Sequence, residues 1–284
     1  MGQRYLEVKA EREPGVDRET GRASQQLLDA QRTADDVPKL VEDFLETVHA
    51  FEREHRPDTG EAFHDSDGRK DLYEDPNYVG FGQAGTNLIA GNLSRLGPDR
   101  QPVGPTTGHD LPDLTYLDRE LVPTRSKTHE VEYEGGGKGE RVRLDLLFGA
   151  NYRKAEGPGG QIPVVAEVKA LGDESVYYAL IQGLNCCAQL SSGAQRERLS
   201  NAYESLDPEL PMELWIVLAE HNSRGPEKEE MARLARQIAE QFIDAAGIGR
   251  YLAAIRCVDT EIDISFKQRD DLMSWAAAPT KAQG

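Results

Sequence analysis

The chain has 284 residues, of which 38% are hydrophobic and 29% charged, and its formal net charge is −17. This length and composition suit one large globular domain with polar extensions, and the absence of a run of about 18 apolar residues argues against a transmembrane helix. The negative charge argues against a protein that coats nucleic acid through a general basic surface. The first residues lack a signal peptide's apolar stretch, and the three cysteines do not resemble a disulfide framework. We therefore expect a cytoplasmic protein without a membrane partner.

The N-terminal part of the chain predicts an acidic extension, residues 1–85, that contains one helix. Residues 1–32 are polar and weakly patterned, which indicates a flexible or loosely docked arm. From Asp35 to His55, apolar residues recur at spacings of three and four, which predicts an amphipathic helix packed on the main domain (Val37, Leu40, Val41, Phe44, Leu45, Val48 and Phe51). Residues 57–83 are rich in Asp, Gly and Pro and predict a loop.

Residues 86–266 predict the main domain, and residues 267–284 predict a loosely ordered tail. Two short helices are predicted first, over Thr86–Leu96 and Asp113–Val122. The predicted strands are Thr128–Tyr133, Arg141–Phe148, Ile162–Ala170, Glu213–Ala219 and Leu252–Val258, and the predicted longer helices are Glu174–Leu190 and Pro226–Ala246. Three strands in succession followed by helix–strand alternation indicate an α/β fold with a central mixed sheet of about five strands flanked by helices.

Three ionisable residues stand within two apolar strands of this domain. Asp145 lies in one strand, while Glu167 and Lys169 lie in the next, where residues two apart point to the same face. If the two strands pair, all three side chains can meet on one face. Buried charges need partners, and a Mg²⁺ or Mn²⁺ ion bound by Asp145, Glu167 and the carbonyl of Val168 would supply one. Lys169 would then orient or deprotonate a water molecule, or stabilise charge on a phosphate.

This pattern, an acidic residue in a hairpin strand followed by Glu-x-Lys in an apolar strand, resembles the PD-(D/E)XK nuclease superfamily. The resemblance covers about residues 113–220, where the predicted element order also matches the family core of helix, three strands, helix and strand. It implies a restriction-endonuclease-like core and a Mg²⁺- or Mn²⁺-dependent endo- or exodeoxyribonuclease, which hydrolyses phosphodiester bonds. Asp145, Glu167 and Lys169 match the family's catalytic residues.

The resemblance also implies supporting residues. Many members carry an upstream helical Glu that supports a second metal ion, and Glu120 is the first candidate for it, with Asp118 the second. RecB-like members place a Gln on the helix after Glu-x-Lys, and Gln182 lies in the corresponding predicted helix. Their Tyr four residues later is absent, because Cys186 stands there, and Leu144 rather than Pro precedes Asp145.

Each of these residues has a simpler interpretation. Glu167 and Lys169 could form a surface ion pair, Glu120 could be a solvated helix residue, and Gln182 could be a polar residue on an amphipathic helix. Cys186 and Cys187 are predicted to fill core space as small hydrophobic residues. In the loop after the second strand, residues 152–154 (Tyr, Arg, Lys) could contact nucleic acid or belong to an ordinary flexible hairpin loop.

Two functions from different classes are compatible with the sequence. The first is a nuclease that acts on DNA in repair, restriction or phage defence, with RNA left open as the substrate. The second is a catalytically silent nuclease-fold domain that serves as a binding or regulatory subunit, which the net charge of −17 favours. A protein partner or a homodimer stays open in both cases.

Overall fold

The computed structural model describes residues 20–53, 63, 112–123, 143–152, 160–170, 175–219 and 226–260. Within these ranges the chain forms five α-helices, namely α1 (Thr20–Asp35), α2 (Val37–Arg53), α3 (Val176–Leu190), α4 (Gly193–Ala202) and α5 (Pro226–Ile243). It also forms five strands, namely β1 (Asp113–Leu121), β2 (Leu144–Asn151), β3 (Ile162–Ala170), β4 (Met212–Ala219) and β5 (Leu252–Thr260). A short 3₁₀ helix, Ile248–Arg250, precedes β5.

The five strands form one mixed sheet in the order β1-β2-β3-β4-β5. β1, β2 and β3 pair antiparallel, whereas β3, β4 and β5 pair parallel. The parallel neighbours are joined through helices, as such pairs require crossover connections. The central strand β3 contains Val164, Val165 and Ala166, all fully buried, which accounts for its continuous apolar run. The chain is therefore an α/β protein with a five-stranded mixed sheet flanked by helices, as the alternation of predicted elements indicates.

A layer of helices covers one face of this sheet. α3 packs against β3 and β4, and α5 packs against β5 and against α3, so that α3 and α5 lie on the same face. α1 contacts α5, while α2 contacts both α3 and α5. The ring of Phe44 in α2 meets that of Phe242 in α5 edge-to-face, with ring centres 5.3 Å apart. α1 and α2 therefore share one hydrophobic core with the sheet.

Side chains on the opposite face of the sheet are buried as well. They alternate along the strands with the residues that face α3, and they include Phe148, Val164, Trp215 and Val258, each no more than 2% exposed. Burial on both faces is typical of the central strands of an α/β sheet.

This opposite face contains a buried ion pair. The Nε of Arg256 donates to Oε2 of Glu213 over 2.9 Å, and the two side chains are 2% and 4% exposed. Trp215 Nε1 donates to the same carboxylate oxygen over 2.9 Å, and the Tyr152 hydroxyl donates to Glu213 Oε1. Burial, followed by the charge of Glu213, raises the pKa of Tyr152. Tyr152 thus anchors the end of β2 to β4 and β5, while Arg153 and Lys154 lie outside the described residues.

Most predicted elements that fall within the described ranges agree with the structure. The strand Ile162–Ala170 has the predicted bounds, and the α3, β4, α5 and β5 elements begin or end within a few residues of the predicted ones. The predicted helix from Asp35 to His55 corresponds to α2. The predicted helix Thr86–Leu96, the predicted strand Thr128–Tyr133, the tail and the domain boundaries near residues 85 and 266 lie outside the described residues.

The prediction of a helix over residues 113–122 was wrong, because this segment forms the edge strand β1. Its pairing with β2 shifts by one residue between Tyr116 and Asp118. Such a bulge interrupts the apolar–polar alternation of a strand, and it leaves the leucines of this segment at spacings of three and four, which mimic a helical pattern.

The expectation of a loosely docked arm over residues 1–32 was also wrong from residue 20 onward, where α1 begins. Among residues 25–35 of α1, the side chains of Ala30, Thr33 and Ala34 are buried, and Leu27 packs half-buried against the core. The Thr33 hydroxyl lies 2.9 Å from that of Tyr177 in α3. Small and polar residues on the inward face produce no strong apolar stripe, so the pattern alone did not indicate this helix. The helix α4 was not predicted either.

Candidate functional site

The structure brings Asp145, Glu167 and Lys169 together on the sheet face that carries the helices. The antiparallel register of β2 and β3 runs up to the pair Leu146↔Ala166, so that Asp145 lies across from Glu167 at the end of the ladder. Residues directly opposite in an antiparallel pair share a face, and Lys169 follows Glu167 by two positions.

Asp145 joins the two strands where their backbone pairing stops. Its Oδ2 accepts a hydrogen bond from the backbone N–H of Val168 over 2.7 Å. The Asp145 carboxylate, rather than the backbone of a paired strand, thus accepts this hydrogen bond from β3. The Asp145 side chain is half-buried. The predicted role of the Val168 carbonyl as a metal ligand stays a prediction.

Glu167 lies deeper in the protein and is fully buried. Its Oε1 is 3.8 Å from the Sγ of Cys186 in α3, whereas its Oε2 has no hydrogen-bond partner within the described part of the chain. Burial, followed by the negative charge of Asp145, raises the pKa of Glu167 well above its usual value, although Lys169 opposes this shift. Burial and then the charge of Glu167 likewise raise the pKa of the Cys186 thiol. Two adjacent carboxylates in such surroundings are stabilised by a cation.

The ammonium group of Lys169 is directed towards α3 rather than towards bulk solvent. Lys169 is 7% exposed, and its Nζ lies 3.4 Å from Oε1 of Gln182 and 5.4 Å from the ring centre of Tyr178. Gln182 is fixed in turn, because its Nε2 donates to the backbone carbonyl of Arg143 over 3.1 Å. Tyr178 and Gln182 are one helical turn apart, so the first turns of α3 form one wall of the site.

Glu120 lies on β1, so its predicted position on a helix was wrong. The pairs Arg119↔Leu146 and Leu121↔Leu144 flank it, and this register places Glu120 across from Asp145. The second candidate, Asp118, is fully buried and engaged elsewhere: its Oδ2 accepts from the Tyr203 hydroxyl and its Oδ1 from the Arg119 N–H.

Sequence reasoning did not assign Cys186 or Tyr178 to the site. Cys186 was expected to fill core space, and it is indeed fully buried, but it also contacts Glu167. The positions 178, 182 and 186 follow one another by four residues, so that they share a face of α3. This spacing, read together with Gln182, was the signal that could have identified both residues.

Gly183 allows α3 to approach the sheet closely at this point. A Cβ atom on Gly183 would lie 2.3 Å from Cδ1 of Leu214 and 3.1 Å from Cγ of Glu167. Both distances are shorter than ordinary carbon contacts of about 3.5–4.0 Å. The absence of a side chain at residue 183 therefore sets the depth at which Glu167 lies beneath the helix.

Among the described residues, no three His, Cys, Asp or Glu side chains lie close enough together to bind a metal ion. The described helices do not include one with the length and apolar character of a membrane span. Comparisons of the chain with protein-family models, with curated proteins and with solved structures found no match.

Proposed function

We propose that the chain is a metal-dependent nuclease that hydrolyses phosphodiester bonds of DNA. The observation that carries this proposal is the convergence of Asp145, Glu167 and Lys169 from adjacent strands on one buried face. A surface ion pair does not account for it, because Glu167 and Lys169 are 0% and 7% exposed. Charged side chains held together in an apolar environment are typical of catalytic sites.

The residues present fit a hard divalent cation. The unpartnered Oε2 of Glu167 is a buried acceptor that lacks a hydrogen-bond donor within the described chain, and Asp145 lies across the strand ladder from it. Asp145 and Glu167 would bind the ion together with the carbonyl of Val168, since Mg²⁺ and Mn²⁺ prefer oxygen ligands. When bound, such an ion would activate water and offset the negative charge that develops on the phosphate.

Lys169 would act on the attacking water or on the phosphate through its ammonium group. Gln182 accepts a hydrogen bond from its ammonium group, and the Tyr178 ring lies beside it, so that the position of Nζ is restricted. An ammonium group in this position can donate to a phosphate oxygen or hold the attacking water in line. Gln182 acts through Lys169 in this scheme.

The order of elements supports a restriction-endonuclease-like core. Among the described residues, the order from α2 to β4 is helix, three strands, helices and strand, which resembles the PD-(D/E)XK order of helix, three strands, helix and strand. The first helix of the core would then be α2 rather than a helix at residues 113–122. Glu120 remains a candidate for an additional metal ligand, because its register position is across from Asp145.

The test measures Mn²⁺ binding and cleavage of plasmid, single-stranded DNA and RNA by the full chain with Mg²⁺ or Mn²⁺. Asp145→Asn is expected to weaken Mn²⁺ binding, and Lys169→Ala is expected to lower kcat by about 10²–10⁴-fold while Mn²⁺ still binds. Lys39→Ala is the matched control, because Lys39 is 48% exposed and paired with Glu42 on α2. Cleavage that persists in Lys169→Ala would contradict the proposal.

A catalytically silent domain is the second candidate. The net charge of −17 favours it, because that charge repels a polyanion wherever no cation intervenes. A wild-type chain that binds neither Mn²⁺ nor Mg²⁺ and cleaves none of the three substrates would support this function and contradict the first.

A further inference from the structure

The carboxylate of Glu167 is held asymmetrically. Its Oε1 accepts a hydrogen bond from the Cys186 thiol at 3.8 Å, while its Oε2 is buried and lacks a partner within the described chain. Glu167 and Cys186 are both 0% exposed, so their contact is shielded from bulk solvent. The two oxygens therefore differ: Oε1 accepts from the thiol, whereas Oε2 meets no hydrogen-bond donor within the described chain and the Asp145 side chain lies beside the carboxylate.

We propose that Cys186 is a positioning residue, which holds Oε1 of Glu167 so that Oε2 faces the metal ion. This inference rests on the proposed function and deepens it. It assigns only one carboxylate oxygen of Glu167 to the metal ion, and it gives a residue of α3 the role of holding the other oxygen. Outer partners of this kind orient a ligating carboxylate and tune the affinity of the site.

A thiol suits this role because it is a weak donor. It can fix the carboxylate's rotation without neutralising its charge, which stays available to a cation. The close approach of α3 at Gly183, three residues earlier in the helix, brings the thiol within reach of Glu167. The close packing of α3 on the sheet therefore brings the thiol and the carboxylate together.

Cys186 is not assigned as a ligand. Within the part of the chain that the structure describes, no three His, Cys, Asp or Glu side chains converge in a way that could bind a metal ion. A thiol that bound the ion directly would also favour softer cations than Mg²⁺.

Cys187 provides the matched control. It is a neighbouring cysteine on α3 and is equally buried. Burial and then the charge of Glu167, but no hydrogen bond to it, raise the pKa of its thiol. The experiment compares Cys186→Ala, Cys186→Val and Cys186→Ser with Cys187→Ala in the full chain. Val fills the space of the thiol without a donor, so it separates the lost hydrogen bond from a cavity, and Ser restores a donor.

The primary readout is the Mn²⁺ dissociation constant, measured from the electron paramagnetic resonance signal of free Mn²⁺. Cys186→Ala and Cys186→Val are expected to weaken Mn²⁺ binding by about 10-fold or more. Cys186→Ser is expected to restore most of the affinity, and Cys187→Ala to bind like the wild type. Circular dichroism identifies variants that do not fold. If Cys186→Ala does not fold, the Mn²⁺ affinities of Cys186→Val and Cys186→Ser are compared instead.

Three outcomes would overturn the proposal. Equal affinities of Cys186→Val, Cys187→Ala and the wild type would show that the thiol does not position Glu167. A sulfur-to-metal charge-transfer band with Cd²⁺ that disappears in Cys186→Ala would make the thiol a ligand instead. A wild-type chain that binds no Mn²⁺ would remove the basis of both proposals. In contrast, a wild type that binds Mn²⁺ without cleaving any substrate, with affinities ordered as expected, would contradict only the nuclease function.

Discussion

A methyl group at residue 183 tests the close contact between α3 and the sheet. In Gly183→Ala the new Cβ would lie 2.3 Å from Cδ1 of Leu214 and 3.1 Å from Cγ of Glu167. Leu214 would have to move by about 1.2 Å to reach an ordinary carbon contact of about 3.5 Å. Both neighbours are 0% exposed, so this displacement must occur inside a filled core.

Two opposing effects determine the size of the change in stability. Alanine is better than glycine in a helix by about 1 kcal/mol, whereas overpacking a filled core costs about 1–3 kcal/mol. Because the 2.3 Å approach is severe, we expect the upper part of that range. The net loss in the free energy of unfolding is then about 1–2 kcal/mol, which lowers Tm by about 2–8 °C in a domain of about 150–250 residues.

Gly193→Ala is the matched control, and it is expected to raise rather than lower the free energy of unfolding. Gly193 is exposed at the start of α4, and its added Cβ would meet Glu52 Oε1 at 3.6 Å, an ordinary contact. This variant is expected to gain about 0.4–1 kcal/mol through the unfolded state. The measurement is thermal unfolding by circular dichroism in EDTA, with urea unfolding as a second probe. A Gly183→Ala protein as stable as Gly193→Ala would refute the described helix–sheet contact.

Two further predictions concern buried charges. Arg256→Leu leaves the Glu213 carboxylate buried without its counter-charge and is expected to lower the free energy of unfolding by about 3–5 kcal/mol, measured in urea. Arg233→Ala removes an exposed partner of Glu230 and is expected to change this free energy little. Equal losses in the two variants would contradict the greater contribution of the buried ion pair. Burial, followed by the charge of Asp145, raises the pKa of Glu167, so the metal-free protein is expected to lose stability as the pH rises from the usual value of 4.5. Glu167→Gln removes this loss, so its stability relative to the wild type in EDTA should increase as the pH rises above 4.5. A difference that stays constant with pH would contradict the raised pKa.

The sheet centre and the core of the candidate site were predictable because both depend on local sequence. The apolar run of Ile162–Ala170 identifies a buried strand, and the spacing of Glu167 and Lys169 alone puts both on one face. The strand that carries Asp145 was recognised for the same reason. What the sequence left open was the pairing of these strands, which the register of β2 and β3 now supplies.

Other features depend on contacts between distant segments and were not predictable. The bulge at β1 made a strand look helical, which also misplaced Glu120. Cys186 lies 19 residues from Glu167 in sequence, and only the packing of α3 on β3 brings the two together. In α1, the alanines that face inward are too small to mark the helix as part of the core.

The packing of α2 matters to anyone who divides this chain for expression. A protein that started at residue 86 would match the expected limits of the main domain, yet it would present to water the ring of Phe242 that Phe44 now shields. Apolar surface uncovered in this way is a common cause of aggregation. Deleting the N-terminal helices would therefore remove part of the protein's interior, and the poor behaviour of such a fragment would reveal nothing about catalysis.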